Sequence, residues 1–427
     1  MGKHIIKNFK ALAKTKIRRD ALAIFEAGIK AVDPGRSILR AVKRRGDFIF
    51  FGNKKIDLKN FDHIYVIAIG KAAGRASAGL EKILGSKITG GIALDIKKLK
   101  LKYIKSLVGT HPLPSEQNMR ATGEIMAMLK NLDSRDLLLT VISGGGSALL
   151  CWPYELKCSD LSAINSILMR KGAAIEEINI VRKHLSEIQG GQFARLAYPA
   201  TVLGMIFSDV PGDDLGSVAS GPTVRDTSTK TDAARILEKY KVLKACSLPG
   251  CDLKETPKDE IYFKKVFNFL VAGNKEAVFA MAGEARRRGW KTRVLGTKIT
   301  GEARDIGRLM ATSPGKSEAV VAAGETVVTV LGRGTGGRNQ ELALGALPYI
   351  EEDTLVASCA SDGVDNSLAA GAIADRVTKN KAQRAGVSAK KYLTNNDSYN
   401  FFRKTGDSIV TGITGTNVSD LIVALRE

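Results

Sequence analysis

A soluble α/β protein of two domains is what this sequence predicts. Short apolar runs alternate with helically spaced stretches along most of the chain, as at 64–70, 90–94, 136–140 and 201–207. Uninterrupted apolar runs of that length suit strands buried on both faces of a parallel sheet. Several of these runs end in polar, glycine-rich loops that open a helix, the place where doubly wound sheets hold ligands. A chain of 427 residues, 44% hydrophobic and 6% aromatic, is also too long for one ordinary core.

The formal net charge of +21 attracts anions of any size. Aromatic platforms interleaved with the basic residues would favour single-stranded nucleic acid, and the sequence lacks them, so small anionic substrates are the expected partners, with neither nucleic acid nor membrane. The five cysteines, Cys151, Cys158, Cys246, Cys251 and Cys359, form no C-x-x-C pair, so neither a disulfide framework nor a zinc site is implied. The scattered histidines form no H-E-x-x-H. The basic N-terminus has no apolar core of a leader, and no run approaches a membrane span. A cytoplasmic enzyme is expected.

In chain order, helical spacing over 18–45 with a turn at Asp33-Pro34-Gly35 predicts two helices. The run 64–70 reads as a buried strand, after which Lys71-Ala72-Ala73-Gly74 opens a helix. A lysine at the carboxyl end of such a strand stands where ligands bind, or else snorkels to solvent. Strand 90–94 follows, and the alternating 97–102 reads as a strand with one lysine face. The loop 109–115 contains His111, read as a loop residue more readily than as an acid or base, and Ser115, read as the cap of the next helix.

Strand 136–140 runs into Ser143-Gly144-Gly145-Gly146-Ser147. That loop offers bare backbone N–H groups and two hydroxyls, an anion nest unless it is a plain turn. Asn179 to His184 gathers an amide and two cations, Arg182 and Lys183, as a phosphate-facing cluster or a solvated face. Strand 201–207 ends in Ser208-Asp209-Val210-Pro211-Gly212-Asp213-Asp214, whose carboxylates suit Mg²⁺, a substrate hydroxyl or Asx-turn chemistry. The polar stretch 225–265 reads as a connector, which sets domains at 1–250 and 251–427.

Beyond it, strands are predicted over 266–272, 292–295, 319–323, 326–331 and 354–359, with helices over 274–288 and 301–310. Gly332-x-Gly334-x-x-Gly337 matches a dinucleotide-binding fingerprint, with Asp362 after the next strand as its acid. Two arginines inside the loop, Arg333 and Arg338, count against that reading. A further polar loop spans 411–420. No Walker-type loop, kinase signature or nucleophile elbow is present. Anion-binding loops with Lys71, Arg338 and several aspartates are the parts phosphoryl transfer needs.

Together these stretches resemble the class II glycerate kinases, the MOFRL-type glycerate 2-kinases. The likeness is carried, in order, by VIAIGKAA at 66–73, GTHPLPSE at 109–116, ISGGGSALL at 142–150, NIVRKHLSEIQGG at 179–191 and SDVPGDDLGSVASGPT at 208–223. It continues with GETVVTVLGRGTGGRNQELAL at 324–344, ASDGVDNS at 360–367, NNDSY at 395–399 and TGTNVSDL at 414–421. The chain departs from the family at Asn366-Ser367-Leu368, where Gly-Pro-Thr is common.

The resemblance implies a Rossmann-like αβα domain followed by a mixed α/β MOFRL domain, with the active site in a cleft between them. It implies transfer of the ATP γ-phosphate to the 2-hydroxyl of D-glycerate with Mg²⁺. Lys71 and Arg338 are then the catalytic cations. Asp209 and Asp362 are carried over as substrate- or phosphate-binding; the reading of the residues themselves adds Ser143, Gly144, Gly145, Gly146, Ser147 and Arg182 to that group, and no residue is assigned to a metal. Some relatives carry the older label hydroxypyruvate reductase. An NAD(P)-dependent reductase is therefore the rival reading, supported in sequence by the fingerprint alone, and a basic nucleic-acid-binding protein is the third.

Overall fold

The computed structural model describes residues 4–210, 214–246 and 251–427. The chain divides into two compact units: residues 34–271 form a central unit, and residues 1–33 with 272–427 form a split unit.

The central unit opens with a three-stranded antiparallel meander, β1 (Val42–Arg45), β2 (Phe48–Phe51) and β3 (Lys54–Asp57). Its main sheet contains β4 (His63–Ile69), β5 (Gly90–Asp95), β6 (Lys105–Val108), β7 (Asp136–Ser143), β8 (Thr201–Phe207) and β9 (Val266–Ala272), in the order β6-β5-β4-β7-β8-β9. The pairs from β6 across to β8 are all parallel. Every residue of β7 is buried, as its largely apolar run suits in a strand covered on both faces. The order reverses between β4 and β7, so this is a Rossmann-like sheet whose switch point lies where those two strands end.

The split unit contains a mixed sheet of β10 (Lys291–Ile299), β11 (Glu318–Gly324), β12 (Thr354–Ala360), β13 (Gly371–Asp375), β14 (Ser408–Ile409) and β15 (Asp420–Arg426). The order is β10-β11-β15-β12-β13-β14, with β15 antiparallel to both neighbours. The N-terminal helix Lys16–Ala31 belongs to this unit because of Arg18, which is fully buried. Its guanidinium donates to both carboxylate oxygens of Asp375 at 2.6 Å, to Asp407 at 2.8 Å and to the Thr378 hydroxyl at 3.0 Å.

Several expectations need correction. A single boundary at 250/251 is replaced by breaks at 33/34 and 271/272. The connector reads as a linker because it is polar, but its polar groups are bound: Lys258 Nζ donates to the carbonyls of Asp226 and Ser228, and Lys254 N to the His184 carbonyl. Leu253 and Cys251 pack on a core cluster of the central unit. The Leu248-Pro249-Gly250 part of that connector lies outside the described residues, as do Pro211, Gly212 and Asp213. Residues 97–102 form no strand. Nor do residues 326–331, despite their β-branched run: Val327 makes an isolated bridge to Glu302, while Val330 and Leu331 are 71% and 80% exposed.

Candidate active site

At the switch point of the central unit, Gly70 leaves β4 with φ 109°, and a Cβ there would stand 2.2 Å from Ser143 Oγ. Only glycine fits both demands. The Ser143 hydroxyl accepts from Ala72 N at 3.1 Å and donates to the Ile69 carbonyl at 3.1 Å. Ser143 is fully buried, and its hydroxyl ties the two strand ends together. Lys71 N donates to the Gly144 carbonyl at 3.0 Å. Gly145 turns left-handed at φ 82°, and a Cβ there would lie 3.2 Å from both the Lys71 Cγ and the His111 ring. Two basic side chains thus flank the loop. Asn118, itself fully buried, holds the His111 loop in place: it accepts from Thr110 N at 2.8 Å and donates to the Ala148 carbonyl at 2.8 Å. Ser115 precedes the helix Glu116–Lys130, but its hydroxyl goes to Asn118 instead of capping that helix.

The N–H groups of Gly144, Gly145, Gly146 and Ser147 donate to no acceptor among the described residues. Buried amides are almost always satisfied, so four in succession constitute a nest of donors. The loop's other groups are fixed. Gln189 Nε2 donates to the carbonyls of Ser147 and Leu150, each at 3.0 Å. Gly146 packs on Ala219, whose Cβ would be 2.6 Å from a Cβ added at Gly146. Ala219, Ser220 and Gly221 are left-handed in succession, at φ 51°, 59° and 58°. For the first two this costs about 1–2 kcal/mol each, strain of the kind that collects at functional sites. The turn delivers the Ser220 hydroxyl to Ser147 Oγ at 3.1 Å and to Asn179 Oδ1 at 3.1 Å.

The basic run after Asn179 divides by helical phase. Lys183 pairs with Asp226 at 3.0 Å, and fully buried His184 bridges to the Lys254 carbonyl at 2.8 Å, so both are structural. Arg182 lies three residues from Asn179 on the helix Ile175–His184, and its Nε donates to Asn165 Oδ1 at 2.9 Å. Burial pulls the Arg182 guanidinium below its ordinary value. Asp209 stands at the carboxyl end of β8, half-buried.

In the split unit, polar side chains gather where β11 and β12 end and β15 begins. Arg338 opens the helix Arg338–Ala346. Its Nε donates to Asp420 at 2.5 Å and its Nη2 to Glu325 at 2.9 Å. Burial opposes the Arg338 charge, but Asp420 and Glu325 more than offset it and hold the guanidinium well above its ordinary value. Asp365 accepts from the backbone and side-chain N–H groups of both Asn339 and Gln340 at 2.8–3.1 Å. Burial and the nearby Asp420 nonetheless push its carboxyl up to about 6. Asp420 is itself raised, by burial. Asp362 accepts from Val364 N at 3.0 Å, an Asx-type turn.

The fingerprint loop is not an open phosphate site. The N–H groups of Leu331 and Gly332 donate to Asn396 Oδ1, Arg333 N and Gly334 N to Asn395, and Thr335 N to Asp397 Oδ1, at 2.8–3.1 Å. Asp365 occupies the N–H groups of the helix that follows. The glycines are needed because the segment 395–398 runs against them: a Cβ at Gly332, Gly334 or Gly336 would come within 2.1–2.4 Å of it. The loop also lacks the strand that the fingerprint requires, since β11 ends at Gly324. Sequence reasoning missed Asp365, Asp420, Glu325 and Ser220, which carry no local signal beyond lying in polar loops. Among the described residues no cluster of three or more His, Cys, Asp or Glu could hold a metal.

Residues 20–249 match the family described as Domain of unknown function (DUF4147), and residues 318–420 match the MOFRL family. A D-glycerate 2-kinase of Thermotoga maritima is 35% identical over 96% of this chain and 98% of its own. A glycerate 2-kinase of Pyrococcus horikoshii is 37% identical over 96% of this chain and 97% of its own. A crystal structure of glycerate kinase from Thermotoga maritima superposes with a TM-score of 0.82 at 34% identity, covering 96% of this chain and 99% of that one. Identity at that level over nearly the whole length of each relative shows that this chain belongs to the class II, MOFRL-type glycerate kinase family.

Proposed function

We propose that the protein transfers the γ-phosphate of ATP to the 2-hydroxyl of D-glycerate, giving 2-phosphoglycerate and ADP. The observation that carries this reading is the row of four unengaged N–H groups, Gly144 to Ser147, at the switch point beside Lys71. Preorganised donors of this kind receive phosphate oxygens and stabilise the charge that spreads over them during transfer. The names of the aligned relatives supply the acceptor and its regiochemistry.

In this reading the nest and Lys71 hold the phosphates, and Lys71 and Arg338 are the two catalytic cations. Arg338 is kept rigid by Asp420 and Glu325, so its position is set before substrate arrives. Mg²⁺ is held mostly by phosphates and water, with one or two protein carboxylates. Asp209, at the end of β8, would be its protein carboxylate. The ion would neutralise phosphate charge. Asp362 is the carboxylate proposed for the acceptor hydroxyl. The deciding experiment incubates the protein with ATP, Mg²⁺ and D-glycerate and identifies the product by phosphorus NMR. NADH oxidation with hydroxypyruvate, and no phosphorylated glycerate, would reject the kinase.

A further inference from the structure

Arginines drawn out of solvent in this chain are usually neutralised. Arg18 lies between Asp375 and Asp407, and Arg338 between Asp420 and Glu325. Arg182 is the contrast: its hydrogen bond goes to the neutral amide of Asn165, and no carboxylate stands within ion-pair distance among the described residues. A guanidinium partly withdrawn from water without a counter-charge carries a cost in the folded chain. An anionic ligand would remove that cost.

We propose that Arg182 is the specificity residue of the acceptor site and binds the carboxylate of the 2-hydroxy acid, an assignment that rests on the kinase reading above. Asn165 takes Nε, which leaves the edge carrying Nη1 and Nη2 to give two parallel N–H bonds to a pair of anionic oxygens, of carboxylate or phosphate alike. Phosphate oxygens already have donors in the nest. Position supports the same choice. Arg182 shares a helix face with Asn179, and Asn179 is linked through the Ser220 hydroxyl to Ser147 at the end of the nest. In a 2-hydroxy acid the carboxylate is one carbon from the reacting hydroxyl. Holding the first therefore sets the second, and a polyol without a carboxylate is rejected because Arg182 would stay uncompensated.

The test compares wild type with Arg182→Met and Arg182→Lys in the full chain, each checked for an unchanged melting transition. KM is measured separately for D-glycerate and for ATP, and calorimetry without nucleotide measures binding of D-glycerate and of glycerol. Arg182→Met should raise KM for D-glycerate roughly 10- to 100-fold, from the loss of hydrogen bonds to a charged group. KM for ATP should stay within about threefold, and Arg182→Lys should recover little of the loss. The variant should also lose the calorimetric preference for D-glycerate over glycerol. A raised KM for ATP with that for D-glycerate unchanged would overturn the assignment in favour of a phosphate contact, and no change in either would leave Arg182 structural. If Arg182→Met fails to fold, Arg182→Lys alone decides, since an unchanged KM for D-glycerate refutes the fork. If wild type phosphorylates no glycerate, the kinase reading fails. The Arg182 assignment then stands or falls on whether D-glycerate binds wild type and not the variant.

Discussion

Replacing Arg18 by Met should be among the most destabilising single changes in the chain. The side chain is fully buried and makes four hydrogen bonds, three of them to the carboxylates of Asp375 and Asp407. Methionine fills much of the volume but strands two buried carboxylates, of which, among the described residues, only Asp407 keeps another cation, Lys381 at 2.7 Å. Removing one partner of a buried charge network costs about 3–5 kcal/mol. For a unit of this size each kcal/mol lowers Tm by roughly 2–4 °C, so a fall of roughly 6–20 °C is expected by differential scanning calorimetry. Arg18→Lys should be intermediate, because one ammonium cannot reach three carboxylate oxygens in the plane of a fork. The combined change Arg18→Met, Asp375→Asn, Asp407→Asn should recover much of the loss, since it removes the stranded charges. A loss below about 1 kcal/mol for Arg18→Met would refute the reasoning.

Other outcomes follow from the candidate site. Lys71→Ala and Arg338→Ala should each cut kcat by roughly 10²–10³, the effect of one preorganised charge-stabilising group, in steady-state assays of a folded variant. Arg338→Lys should stay impaired, because Asp420 and Glu325 hold a planar group. Gly145→Val should block anion binding, since φ 82° resists a branched side chain and its Cβ would crowd Lys71 and His111; unchanged kinetics would reduce the loop to a turn. Asp365 gives a pH signature. Its folded carboxyl titrates at about 6 against an ordinary 3.8, so the folded state binds the proton more tightly than the unfolded one. The contribution of Asp365 to stability is then fully present below pH about 4 and is lost, by about 3 kcal/mol, as pH rises through about 6, and Asp365→Asn should remove that component of the pH dependence in urea unfolding.

Much of this was legible from local pattern. The buried strands of the central sheet, Lys71 after β4 and the glycine loop after β7 all follow from apolar runs that end in polar punctuation. Partners distant in sequence were not legible. Glycines 332, 334 and 336 look like a dinucleotide loop until Asn395 to Asp397 are seen to occupy its N–H groups, some 60 residues away. Ser143 and Ser147 look equivalent in sequence, yet one is sealed between strands while the other opens towards Ser220. The run 326–331 has strand composition, but composition cannot report that its pairing among the described residues stops at one isolated bridge, Val327 to Glu302.

The division of the chain also sets an order of events during synthesis. The central unit, residues 34–271, leaves the ribosome as one uninterrupted segment and can fold once its last strand is out. The helix Lys16–Ala31 is made before it, but Asp375, Asp407 and β15 arrive near the end. At about 5–20 residues per second the helix waits tens of seconds with its apolar face unburied. A circular permutant that joins residue 427 to residue 1 and opens the chain between 33 and 34 would make both units continuous. It should need less chaperone protection during translation while keeping the same native contacts.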